Sequence, residues 1–305
     1  MKSDTPSDTS LLVARSILLA SKGVHLRPLV APREAEILAG ILASSRDAPW
    51  FEFVLKNGWA RQMVFGLERL MVAGIIAHYL ARKRWIEGKV RETLAEGTRQ
   101  VIVLGAGLDT LAARLAAEFP QVILFELDHP ATQRVKRQMP DRAPNLHWIP
   151  VDFATESITT VILDCPHFLK NQPCTIVAEG LTMYLKAERV STLLRNSAEL
   201  AGPGGRVIFT FMEQAGDGSI RFRCENPLVA WWLKSRREPF LWGISSAALP
   251  RWLLKNGLLG ETIASDTDLR REILAPHGLE NIRLAQGECL CCCSPLSHDK
   301  RHSLQ

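Results

Sequence analysis

Val103-Leu104-Gly105-Ala106-Gly107-Leu108-Asp109-Thr110 follows a short apolar run over 100–104 and opens a stretch in which Leu108, Leu111, Ala112 and Leu115 fall on one helical face. An apolar strand, a glycine turn and an amphipathic helix form the unit from which doubly wound parallel sheets are built. Glycines in such a turn admit positive φ and let a ligand approach the backbone closely. A dinucleotide fingerprint asks for a third glycine where this chain has Thr110. The turn therefore points to a nucleotide-like ligand without the full pyrophosphate cradle.

Working outward, the pattern predicts strands over 121–127, 147–151, 175–178 and 206–211, alternating with helices over 108–119, 129–139 and 186–200. Gly202-Pro203-Gly204-Gly205 stops the last of these helices. Near-continuous apolar strands between helices mean a parallel sheet covered on both faces. Before this core, residues 11–96 read as helical throughout, with one long stripe over 61–79. After it, 226–237 and 245–255 read as helices, and 258–264 and 288–293 as the last strands. The expected organisation is a disordered lead over 1–10 and a single domain over 11–305. That domain divides into a helical cap (11–96), a ligand-binding core (97–211), an insertion over the pocket (212–257) and a final segment of strands and tail (258–305). The insertion carries Trp231, Trp232 and Trp242.

Composition narrows the function. Hydrophobic residues make up 47% and charged residues 23% of the 305, which excludes bulk disorder. A net charge of +5 over this length is too weak to argue for nucleic acid as a partner. No run approaches the roughly 20 apolar residues of a membrane span. Residues 1–10 lack the basic start of a signal peptide, so the expected location is the cytoplasm. Four of seven cysteines crowd into Cys289-Leu290-Cys291-Cys292-Cys293. A second Cys pair of zinc-site spacing is missing, so they read as small apolar residues of a buried strand, and no metal is expected.

Three successive strands end in acids. Asp128 stands 23 residues beyond Gly105, where a carboxylate can take both hydroxyls of a ribose. Glu126 shares its face, but Asp128 lies at the carboxyl edge. Asp152-Phe153 can hydrogen-bond and pack against a purine, and Glu179 ends the fourth strand. Taken singly, each acid also fits a helix cap or a loop. Together they attract a cationic nucleoside and repel a pyrophosphate. That favours S-adenosyl-L-methionine over a nicotinamide dinucleotide.

The glycine turn, Phe125-Glu126-Leu127-Asp128-His129-Pro130-Ala131-Thr132-Gln133, Val151-Asp152-Phe153 and Ala178-Glu179-Gly180-Leu181-Thr182-Met183-Tyr184-Leu185 occur in that order. In sequence and spacing they resemble the leucine carboxyl methyltransferase family, which includes proteins similar to tetracenomycin polyketide O-methyltransferases. The resemblance implies the class I methyltransferase sheet, Rossmann-like and mostly parallel with a last antiparallel strand. It also implies that Gly105 and Gly107 lie against the methionine part of the cofactor, Asp128 at its ribose, and Asp152 and Phe153 at its adenine. Glu179 would lie near its amino group and sulfonium, and Tyr184 on the acceptor side. The cofactor's carboxylate would meet Arg82 or Arg84, Arg82 being the first choice. The expected activity is methyl transfer to a carboxylate or hydroxyl oxygen of a small molecule, with Arg221, Arg223, Lys234, Arg236 and Arg237 as candidate cations around the acceptor. A nicotinamide-dependent oxidoreductase and a catalytically silent cofactor-binding partner protein are the competing readings. Oligomeric state is left open.

Overall fold

The computed structural model describes residues 7–43, 48–137, 143–153, 155–223, 225–235 and 238–296. Its sheet comprises β1 (Gln100–Leu104), β2 (Ile123–Asp128), β3 (Leu146–Pro150), β4 (Thr175–Ala178), β5 (Arg206–Glu213), β6 (Gly243–Ile244), β7 (Leu258–Ala264) and β8 (Glu288–Pro295). The strand order is β3-β2-β1-β4-β5-β8-β7, with β6 paired to the end of β5. β1 to β5 run parallel, and β8 runs antiparallel to both β5 and β7. This is the mostly parallel sheet with an antiparallel last strand expected above. β1 is buried along its whole length, as its run of Val, Ile and Leu requires of a strand covered on both faces.

The helices are α1 (Asp8–Ser21), α2 (Glu34–Leu42), α3 (Ala48–Lys56), α4 (Gly58–Met71), α5 (Ile75–Ala95), α6 (Leu111–Glu118), α7 (Pro130–Lys136), α8 (Ile158–Leu163), α9 (Ala187–Ala201), α10 (Pro227–Ser235), α11 (Leu249–Lys255) and α12 (Asp266–Leu269). Several expectations need correcting. The stripe over 61–79 is not one helix: α4 and α5 meet at a bend of 87°. Gly74 makes the bend at φ +85, where an added Cβ would lie 2.4 Å from the Arg283 carbonyl oxygen. The disordered lead expected over 1–10 does not hold at its end. Asp8 already begins α1, with the Ser7 side chain accepting from the Ser10 N–H, and residues 1–6 lie outside the described residues. α5, placed in the cap by sequence, packs on β4 and β5 and belongs to the layered core. Of the expected insertion, β6 joins the sheet and α11 packs on β7, so the excursion is shorter than 212–257.

The cysteine strand follows its expected logic. Cys289, Cys291 and Cys293 pack into the core on one face of the sheet, and Leu290 and Cys292 into the core on the other. Burial pushes the Cys289 and Cys292 thiols up to about 12, so they stay protonated. Among the described residues no three His, Cys, Asp or Glu side chains are grouped to hold a metal ion, and no single helix is long and apolar enough to cross a membrane.

Candidate active site

Strand order reverses at β1: β2 and β3 lie to one side, β4 and β5 to the other. The loops after β1 and β4 therefore part and leave a crevice at the carboxyl edge, the usual ligand position in such sheets. A cavity of about 920 Å³ opens there. That is near the top of the roughly 300–1,000 Å³ common for ligand sites.

Gly105 and Gly107 line this cavity at φ +62 and +51. A Cβ on Gly105 would press on Leu181 Cδ1 at 3.0 Å, and one on Gly107 on Ser10 Cβ at 3.2 Å, so α1 starts directly over the turn. Asp128, at the end of β2, accepts hydrogen bonds from the Gly107 N–H and, at 2.5 Å, from the His129 N–H. Burial raises its pKa against these two donors. Glu126 is fully buried away from the cavity, with Lys136 Nζ at 2.7 Å and Trp148 Nε1 donating at 2.8 Å. The two acids of β2 thus separate, and only Asp128 reaches the cavity. Asp152 and Phe153 line the same edge after β3. His129 caps α7, its Nδ1 accepting from the Ala131 N–H at 3.3 Å.

The floor is a buried charge network. Along α5, Ile75, Ile76, Tyr79, Arg82 and Lys83 line the cavity at helical spacing. Arg82 donates from Nε and Nη2 to Glu179 Oε1 at 2.9 and 2.7 Å, and from Nη1 to both oxygens of Glu288 at 2.9 and 2.8 Å. Lys83 Nζ bonds Asp109 Oδ2 at 2.5 Å and Glu179 Oε2 at 3.3 Å. His78 Nε2 lies 3.0 Å from Glu288 Oε2, while its buried Nδ1 has no hydrogen-bond partner among the described residues. Burial works against ionising Glu288, yet Arg82 and His78 hold its carboxyl down at about 2. Burial likewise opposes Asp109, which Lys83 keeps well below the usual carboxylate range, while Glu179 is raised, chiefly by burial. Arg84 lies off this face. It pairs with Glu87 and does not line the cavity.

Sequence reasoning singled out Arg82 and Glu179 but missed Lys83, Asp109 and Glu288. Tyr79 stands three residues before Arg82 and four before Lys83, so helical spacing links all three. Glu288 had a signal as the lone acid opening an apolar strand. Because β8 runs antiparallel, its first residue falls at the carboxyl edge of the parallel strands, opposite Met212.

The opposite wall is apolar, built from α3, α4, the turn after β4 and the segment between β5 and β6. Val54, Val64, Met71, Met183, Phe222 and Phe240 all line it. Tyr184 stands here, its ring 5.7 Å from that of Phe240. Burial pushes the Tyr184 phenol well above its ordinary range, against a hydrogen bond with the Thr9 side chain, so it remains an O–H donor at neutral pH. Thr9 in turn donates from its backbone N–H, at 3.2 Å, and from its hydroxyl to Glu238, tying the start of α1 to the excursion across the cavity. Of the cations expected around the acceptor, two are described. Arg221 and Arg223 are exposed and do not line the cavity. The Lys234 side chain and residues 236 and 237 lie outside what is described.

Comparison with known proteins fits this geometry. Residues 33–198, more than half of the chain, match the model of the leucine carboxyl methyltransferase family. A Bacillus subtilis protein provisionally named S-adenosyl-L-methionine-dependent methyltransferase YktD is 30% identical over 140 residues, 44% of this chain and 45% of that one. A similarly named Parafrankia protein is 31% identical over 215 residues, 67% of this chain and 66% of its own length. The matched stretch thus spans about half to two thirds of these relatives. The crystal structure of a Thermobifida fusca protein, provisionally described as a methyltransferase, superposes with a TM-score of 0.59 over 96% of both chains at 14% identity, a likeness of fold. With the glycine turn, the strand-end acids and the strand order agreeing with the family match, this chain belongs to the leucine carboxyl methyltransferase family.

Proposed function

We propose that the protein is an S-adenosyl-L-methionine-dependent methyltransferase acting on an oxygen of a small molecule. The observation that carries the reading is the charge of the cavity floor: two cations, Arg82 and Lys83, meet three carboxylates, Asp109, Glu179 and Glu288. S-adenosyl-L-methionine has a sulfonium, an ammonium and a carboxylate, and so one net positive charge. A floor with one carboxylate in excess complements it, whereas the two phosphates of a dinucleotide would meet repulsion.

The residues fit this cofactor. Gly105 and Gly107 leave a cradle that a Cβ would crowd. Gly180, at φ +61, leaves Arg82 Nη2 uncovered, with an added Cβ only 3.9 Å away. One Nη2 hydrogen is uncommitted among the described residues and would meet the amino-acid carboxylate. Glu179 would face the ammonium and sulfonium, Asp128 the ribose, and Asp152 with Phe153 the adenine.

When bound, S-adenosyl-L-methionine supplies a sulfonium methyl group, which an acceptor oxygen takes in line while the electron pair of the broken S–CH₃ bond stays on sulfur. The protein's part is alignment, which can lower such a barrier by roughly 7–11 kcal/mol. Tyr184, kept protonated, would turn its O–H from Thr9 Oγ1 to the acceptor oxygen and hold it by donation. An ionised carboxylate acceptor has no proton to lose. A hydroxyl acceptor has one, and Glu238 is a carboxylate on that wall able to take it. The test is transfer of labelled methyl from the cofactor to a panel of carboxylic acids, phenols and alcohols. Label appearing as ester or ether supports the reading. Label on nitrogen or carbon acceptors only would refute the oxygen assignment.

A further inference from the structure

The apolar wall does not end where the cavity opens. At about 100° per residue, Trp59, Leu70, Met63, Leu67, Met71 and Val64 of α4 fall within one arc of roughly 140°. Val64 and Met71 line the cavity. Trp59, Met63 and Leu70 face solvent, 61%, 67% and 72% exposed. Leu67 does both, lining the cavity while 59% exposed, and Trp50 of α3 repeats this at 61%. A surface helix normally turns its apolar stripe inward and its polar residues outward. Here one stripe serves the cavity wall and the outer surface, and contiguous exposed apolar surface of this kind marks a binding site.

We propose that the methyl acceptor is an amphiphile. Its polar head carries the reacting oxygen to Tyr184 and Thr9. Its hydrocarbon chain lies along Val64, Met71 and Leu67 and continues outward over Met63 and Leu70. This rests on the methyltransferase reading and names the substrate class of the same site. The acceptor's own chain is the occupant because the ridge and the wall share Leu67 and Trp50. A second copy seated on the ridge would cover those same residues and shut the mouth through which an acceptor enters.

The experiment uses the full chain saturated with S-adenosylhomocysteine, so that binding is read without turnover. n-Alkanoic acids and 4-n-alkylphenols of increasing length compete with the fluorescent chain of cis-parinaric acid. Affinity is expected to rise by about fourfold per methylene while the chain is enclosed, and less steeply along the open ridge. Met63→Glu and Leu70→Glu, both at exposed positions, are expected to lower affinity for sixteen-carbon chains about tenfold while leaving eight-carbon chains unchanged. Affinity independent of chain length would overturn the proposal, as would ridge variants that bind long chains like the parent. So would sedimentation showing a dimer that Met63→Glu dissociates, which would assign the ridge to a second copy. Failure of S-adenosylhomocysteine itself to bind would instead strike the underlying methyltransferase reading, so the two failures are distinguishable.

Discussion

Both carboxylate oxygens of Glu288 lie within 3 Å of Arg82 Nη1, at 2.9 and 2.8 Å, although 206 positions separate the two residues in sequence. β8 delivers Glu288 to the floor of the cavity, α5 delivers Arg82, and the pair fixes the guanidinium with its remaining donor beside Gly180. With Nε and Nη2 on Glu179 as well, the planar guanidinium is fixed in orientation as well as in charge.

Glu288→Gln should therefore loosen Arg82 without emptying the site, since Glu179 still holds the guanidinium. The expected result is about a tenfold loss of affinity for S-adenosylhomocysteine, roughly 1.4 kcal/mol. Methylthioadenosine, which has no amino-acid part, should bind within twofold of the parent. Calorimetric titration of both ligands decides it. Equal losses for the two would mean that Glu288 only stabilises the fold.

The same carboxyl gives a pH signature. Its folded pKa of about 2 lies below its ordinary 4.5. A depressed carboxylate contributes stability that is fully present above about pH 4.5 and is lost as pH falls through 2, by about 3 kcal/mol in all. Glutamine cannot titrate, and the acids that do not share Arg82 with Glu288 cancel in the comparison. The stability gap between parent and Glu288→Gln, measured by urea unfolding, should shrink steadily from pH 4.5 downward. A gap independent of pH would show that Glu288 is not held ionised.

Gly74 and Gly66 offer an opposed pair. Gly74→Ala places a Cβ at φ +85, 2.4 Å from the Arg283 carbonyl oxygen, and should cost about 2–4 kcal/mol. Gly66→Ala, inside α4 with nothing within 4 Å, should stabilise by about 0.5–1 kcal/mol. Thermal unfolding of the two variants checks the sign of each effect. Similar melting temperatures would contradict the bend as drawn.

How far the sequence could be read follows from where each signal resides. The β1 strand, its glycine turn and the acids after β2, β3 and β4 are local patterns, and each falls at the expected edge. The break between α4 and α5 is not local. Gly74 alone is tolerable within a helix, and its close neighbour is the Arg283 carbonyl, far along the chain. Glu288 was hidden for a similar reason, because its place in the cavity depends on β8 crossing antiparallel to β5. That Arg82 and not Arg84 lines the cavity follows from the helical phase set by Tyr79. The stripe over 61–79 was legible as a helical face, but periodicity gives a face and not what covers it, so the exposed ridge of α4 was not.

The central claim is that this cavity binds S-adenosyl-L-methionine with Asp128 at its ribose. Calorimetric titration of the purified chain with S-adenosyl-L-methionine and with NAD tests it most directly, repeated on Asp128→Asn. Each charge-assisted hydrogen bond lost with the carboxylate is worth roughly 1.5–3 kcal/mol. The expected result is one S-adenosyl-L-methionine site per chain, no detectable NAD binding, and at least about a tenfold loss in the variant. Binding of NAD instead, or an affinity for S-adenosyl-L-methionine unchanged by Asp128→Asn, would contradict it.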